Sequence, residues 1–86
     1  MKDDALIAQY VEEDPENPGP AHARLADSGV PIWALIGYLQ AATSGDISQA
    51  AADYMVPVDA VRAAMAYYKR RRNRPLIDAL IALNAA

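Results

Sequence analysis

Apolar side chains recur at helical spacing in five stretches of the chain, separated by runs of proline, glycine and carboxylate. From Asp3 to Val11, the residues Leu6, Ile7, Tyr10 and Val11 share one face, with Asp3 or Asp4 placed to cap the helix. Pro31 opens a second helix, in which Ile32, Leu35, Ile36 and Leu39 form the buried stripe and Trp33 and Tyr38 lie on its flanks. That helix is expected to be the central one. It runs out at Thr43-Ser44-Gly45, where glycine accepts the positive φ of a helix end and Asp46 can cap the next helix.

The stretch from Asp46 to Arg74 reads as two helices joined by a tight turn. Ile47 to Tyr54 carries Ala50, Ala51 and Ala52, small enough for another helix to cross closely, and stops at Met55-Val56-Pro57. Pro57 has no amide hydrogen and a fixed φ, which suits the start of a helix and not its interior. Asp59 then falls in the first turn, where exposed amides favour a carboxylate, and Val58, Val61, Met65 and Tyr68 succeed it at helical spacing. The final helix starts at Pro75, with Leu76, Leu80 and Leu83 on one side, Ile77 and Ile81 nearby, and Asp78 as its only charge. So wide an apolar helix either closes its own domain or docks part of its surface, Leu76, Ile77, Leu80 and Ile81, onto a second copy or another protein.

Between the first two helices, Glu12 to Pro20 holds three prolines, a glycine and four carboxylates, a composition that excludes a helix or a central strand and predicts a solvated connector. Ala21 to Leu25 reads as a short extended segment ahead of the turn signal Asp27-Ser28-Gly29. Such a strand needs a mate, and with no other segment of strand character in sight the expected mate is the same segment of a second copy. The fold class is therefore mainly α, a small helix-turn-helix domain with a short N-terminal extended segment pairing across a dimer.

Eighty-six residues make one domain: 1–20 as helix and acidic connector, 21–74 as strand plus helical core, and 75–86 as the last helix. The chain has no cysteine and a single histidine, His22, so neither a thiolate nucleophile nor a cysteine or histidine metal site can be composed, and no cofactor is expected. The carboxylates lie mainly in the connector, away from the i, i+3 or i+4 positions of an apolar face, and an enzyme is not expected. No apolar run approaches the ~20 residues that cross a bilayer, and the acidic start is unlike a secretion signal, so the expectation is a cytoplasmic protein without a membrane partner. Hydrophobic residues reach 53%, but alanine supplies much of this and phenylalanine none; a core this thin points to a homodimer.

The net charge of −3 argues against general nucleic-acid binding, but the charge is unevenly distributed. Residues 1–31 carry a net −5 and residues 32–86 a net +2. Five cations fall within six positions, Lys69, Arg70, Arg71, Arg72 and Arg74, more than helix-dipole compensation requires. They are candidates either for phosphate contacts or for a solubilising or partner-facing surface. Tyr67 and Tyr68 are adjacent and point to different sides, one to the core and one to a phosphate or a dimer neighbour. At the start of the would-be recognition helix only Arg62 suits base-edge contact, while Ser48 and Gln49 on the preceding helix suit phosphate.

The segments HARLADSGVPIWALIGYLQ and GDISQAAADYMVPVDAVRAAMAYY resemble the bacterial family known as domain of unknown function 433. The matching positions are Arg24, Gly29, Val30, Pro31, Ile32, Leu39, Tyr54, Val61, Ala64 and Tyr67. The resemblance implies a homeodomain-like helix-turn-helix similar to VapB-type antitoxins: a dimer that neutralises a PIN-like ribonuclease toxin and binds double-stranded operator DNA to repress its own operon. The alternative is a protein interaction or dimerisation module in which the helical pair is only a packing unit and no DNA is bound.

Overall fold

The computed structural model describes residues 2–84. Five helices occupy the predicted stretches: α1 (Lys2–Tyr10), α2 (Ile32–Ala42), α3 (Ile47–Tyr54), α4 (Val58–Lys69) and α5 (Arg74–Asn84). A two-stranded antiparallel sheet joins β1 (Val11–Glu12) to β2 (Arg24–Leu25), with a short 3-10 turn at Pro20–His22 between them. Among the described residues no helix is long and apolar enough to cross a membrane.

Local chemistry accounts for the helix ends. Asp46 caps α3, its carboxylate accepting from the Gln49 amide at 3.1 Å. Pro31 and Pro57 stand immediately before α2 and α4 in extended conformation, where the absent amide hydrogen costs nothing. α3 terminates on Met55, which adopts the left-handed region at φ 58°. The Met55 and Val56 amides donate back to Ala52 and Ala51 at 3.2 and 3.0 Å, satisfying carbonyls that the helix end would otherwise leave open.

The stripe Ile32, Leu35, Ile36 and Leu39 is buried as its spacing requires, and Val61 and Ile77 join it as the largest fully enclosed side chains. The centre is shared, however. α4 contributes six buried residues against four from α2 and touches α1, α2, α3, α5 and β1. Ala60, Ala63 and Ala64, together with Ala50 and Ala51 of α3, make this possible, since small side chains let helices approach closely around a helix that carries no large side chain on those faces.

One expectation is corrected. The extended segment pairs within its own chain, Val11 opposite Leu25 and Glu12 opposite Arg24, so it provides no strand for a second copy. The outer side of β2 is also occupied: the Leu25 amide donates to Val30 at 2.8 Å, and Arg24 bridges Pro31. The mate was concealed because Val11-Glu12 directly continues an amphipathic helix and is only two residues long. The connector, in turn, is pinned at its start. Arg24 bonds Glu12 at 2.8 Å and lies 3.8 Å from Asp14, while the Asp14 carboxylate accepts from the Glu16 amide at 2.9 Å and the Asn17 side chain at 3.3 Å. Those local hydrogen bonds, helped by Arg24, hold the Asp14 carboxyl below the ordinary aspartate range.

Candidate basic docking surface

The cation run does not form the end of a continuous helix. α4 stops at Lys69, the backbone turns through residues 70–73, and α5 begins at Arg74. The turn is built around Asn73, the buried polar residue of the core, whose side chain donates to the Tyr67 carbonyl at 3.0 Å. The Asn73 amide donates to Arg70 at 2.9 Å, and the Asn73 carbonyl accepts from Ile77 at 3.0 Å, starting the hydrogen-bond ladder of α5. One uncharged side chain within the run therefore folds inward and fixes the corner from which the arginines project.

The cations at this corner have different surroundings. Arg70 reaches across to Asp4 of α1 at 2.8 Å, and the Arg74 guanidinium lies 5.1 Å from the centre of the Tyr68 ring. Lys69, Arg71 and Arg72 are exposed and form no ion pair among the described residues. Beside the corner lies a cleft of about 450 Å³ whose lining includes Arg70, Arg71 and Arg72, the acidic Glu12 and Glu13, and the apolar Ile7, Val11 and Ala23. The corner thus faces solvent as a basic surface and contributes to the cleft as part of a mixed-charge lining.

Both tyrosines are buried, which corrects the expectation that one would reach outward. The Tyr67 hydroxyl donates to the Pro20 carbonyl at 2.8 Å, tying α4 to the connector, and the Tyr68 hydroxyl donates to Asp78 of α5 at 2.6 Å. Burial pushes the Tyr67 phenol up, Glu13 adds to the effect, and Arg70 opposes it. Adjacent helix positions reach different neighbours, and here each neighbour is another segment of the same fold.

Of the remaining candidates, Arg62 shares a depression with one of these cations, Lys69, two helical turns along α4, and the others lie elsewhere. Arg62 is exposed on α4 and pairs with Asp59 one turn earlier at 3.1 Å. Its side of α4 lies between α1, which contributes Lys2, Asp3 and Leu6, and Ile47 at the start of α3. Ser48 and Gln49 are exposed on α3, where the Gln49 side chain donates to Asp53 at 2.8 Å. Of the apolar candidates on α5, Ile77 is completely buried and Ile81 lies against Gly37 of α2, so both pack into their own fold. Leu76 is exposed, and Leu80 is half-buried.

Nothing in the sequence alone ties Asp4, Glu13 or Asn73 to the corner. The only local mark of Asn73 is that it interrupts five cations with an uncharged amide, and the proximity of Asp4 and Glu13 to the corner is created by the packing of α1 and β1 on α4. Comparison with protein-family models, curated proteins and solved structures finds no match in any of the three.

Proposed function

We propose that this chain is a non-catalytic binding protein of the antitoxin kind, which engages a partner protein through the arginine corner between α4 and α5. The observation that carries this reading is the set of exposed cations, Lys69 at the end of α4 and Arg71 and Arg72 on the turn fixed by buried Asn73, displayed without ion-pair partners among the described residues. A preorganised corner loses less conformational freedom on binding than three long side chains on a mobile tail would. The partner implied by the family resemblance is a toxin, a PIN-like ribonuclease, and the surface that fits this corner is an acidic one.

The same cations favour a second reading, contact with the phosphate backbone of operator DNA by a homeodomain-like helical pair. Backbone contact needs only positive charge, whereas sequence reading needs free donors at the start of α4. There Arg62 is paired with Asp59, and Asp3 of α1 lies alongside, so DNA would be held by its backbone with its sequence unread.

The test is co-expression with the product of the adjacent gene, with and without Arg71→Ala and Arg72→Ala together, and then titration of each purified protein with duplex from its own upstream region. A stable protein complex, weakened at least tenfold by the double substitution, supports the antitoxin reading; no complex overturns it. Backbone binding through three cations would make log affinity fall with log salt at a slope of about −3. No retardation at about 50 mM salt removes the DNA reading.

A further inference from the structure

We propose that α5 is a self-pairing surface on which α5 of a second copy docks antiparallel. This inference is independent of the arginine corner. Leu76, Leu80 and Leu83 stand at i, i+4 and i+7 and line the outer side of α5; Leu76 is 44% exposed and Leu83 is 76% exposed. Ala79 lies exposed on the flank of this leucine row and is small enough for two helix backbones to approach closely. Ile77 and Ile81 occupy the inner side, so the leucine seam is surplus to what closes the fold of its own chain.

Charge selects the occupant and its direction. The leucine seam itself carries no charge, so a two-fold contact, in which residue i of one copy meets residue j of the other and j meets i, sets no like charges together along it. The ends of α5 are unlike: Arg72 and Arg74 crowd its N-terminus, where the helix dipole is already positive, while its C-terminal turn has no basic residue and Asn84 donates its side-chain amide to the Leu80 carbonyl. A parallel pair would bring both sets of arginines together. An antiparallel pair sets them beside the other copy's carbonyl end, turning an unfavourable placement into a favourable one at both ends. In that register Leu76 faces the second copy's Leu83, and the axis passes near Ala79 and Leu80.

The contact is modest. α5 is about 16 Å long at 1.5 Å per residue. A specific dimer covers roughly 800 Å² on each partner. The seam has to be extended by the uncharged groove that adjoins it between α2 and α5, lined by Trp33, Ala34, Gly37, Tyr38 and Ile81. The expected association is therefore micromolar, not nanomolar.

Sedimentation velocity of the full chain across the micromolar range tests this, with a shift toward twice the 9.3 kDa chain mass expected on raising concentration. Leu83→Glu and, separately, Leu76→Glu are both exposed changes and should each weaken the dimer at least tenfold with an unchanged far-ultraviolet circular dichroism spectrum. The chain contains no cysteine, so one introduced thiol reports on direction. Ala79→Cys should oxidise readily to a covalent dimer, Leu83→Cys alone should not, and an equal mixture of Leu76→Cys and Leu83→Cys chains should cross-link to each other. A monomer at every concentration, a dimer indifferent to both glutamate substitutions, or self-cross-linking of Leu83→Cys as fast as Ala79→Cys would each overturn the proposal.

Discussion

The carboxamide of Asn73 donates a 3.0 Å hydrogen bond to the main-chain carbonyl of Tyr67 from a position only 3% exposed to solvent. This single contact joins the end of α4 to the start of α5 and sets the direction in which the neighbouring arginines leave the surface. Replacing Asn73 with alanine removes the bond and the buried packing of the amide, at an expected cost of about 1–3 kcal/mol. For a domain of this size, each kcal/mol corresponds to roughly 4–8 °C in Tm, which a thermal melt resolves. Arg71→Ala, an exposed change two residues away, should leave the melt unchanged, so the pair separates loss of the corner from loss of charge.

Met55 is 91% exposed and holds a left-handed backbone at φ 58°. An L side chain is disfavoured there and glycine is not, and the exposed methionine contributes little packing that the substitution would lose. Met55→Gly is therefore expected to stabilise the fold by up to about 1 kcal/mol, with a urea midpoint higher than that of the parent. A lower midpoint would show that the side chain contributes contacts that outweigh the backbone strain.

Neighbouring positions on α5 should respond very differently to truncation. Ile77 is completely enclosed, and Ile77→Ala should cost about 2–5 kcal/mol through lost burial and the cavity left behind. Leu76→Ser, on the exposed side, should change the stability of the monomer by no more than about 0.5 kcal/mol. Chemical denaturation at low protein concentration measures both without interference from association.

Alkaline stability carries the signature of Tyr67. Burial raises its phenol above the ordinary tyrosine value, so the unfolded chain releases that proton at lower pH than the folded one. The contribution to stability is complete below the unfolded tyrosine value of about 10 and is lost as pH rises through the higher folded value. Tyr67→Phe should be less stable at neutral pH, because the bond to Pro20 is gone, and should lose less stability between neutral and strongly alkaline pH than the parent. Urea titrations across that range provide the comparison.

What the sequence determined by itself was the set of helices and the inward side of α2. Proline before a helix, a carboxylate at its start and apolar residues three and four apart act within a few residues, so their consequences at Pro31, Asp46, Pro57 and Ile32 to Leu39 need no distant partner. The left-handed end of α3 was less legible, because methionine stands where glycine would have announced it. Only tertiary structure decided the rest: that β2 pairs with Val11-Glu12, that both tyrosine hydroxyls are spent inside the fold, that Ile77 turns inward and leaves Leu76 and Leu83 outside, and that Arg70 bonds Asp4 while Arg71 and Arg72 remain free of ion pairs among the described residues. Each depends on which surfaces meet when four other short helices close around α4. Periodicity within one helix shows which residues share a side, and the packing of the others decides whether that side faces protein or water.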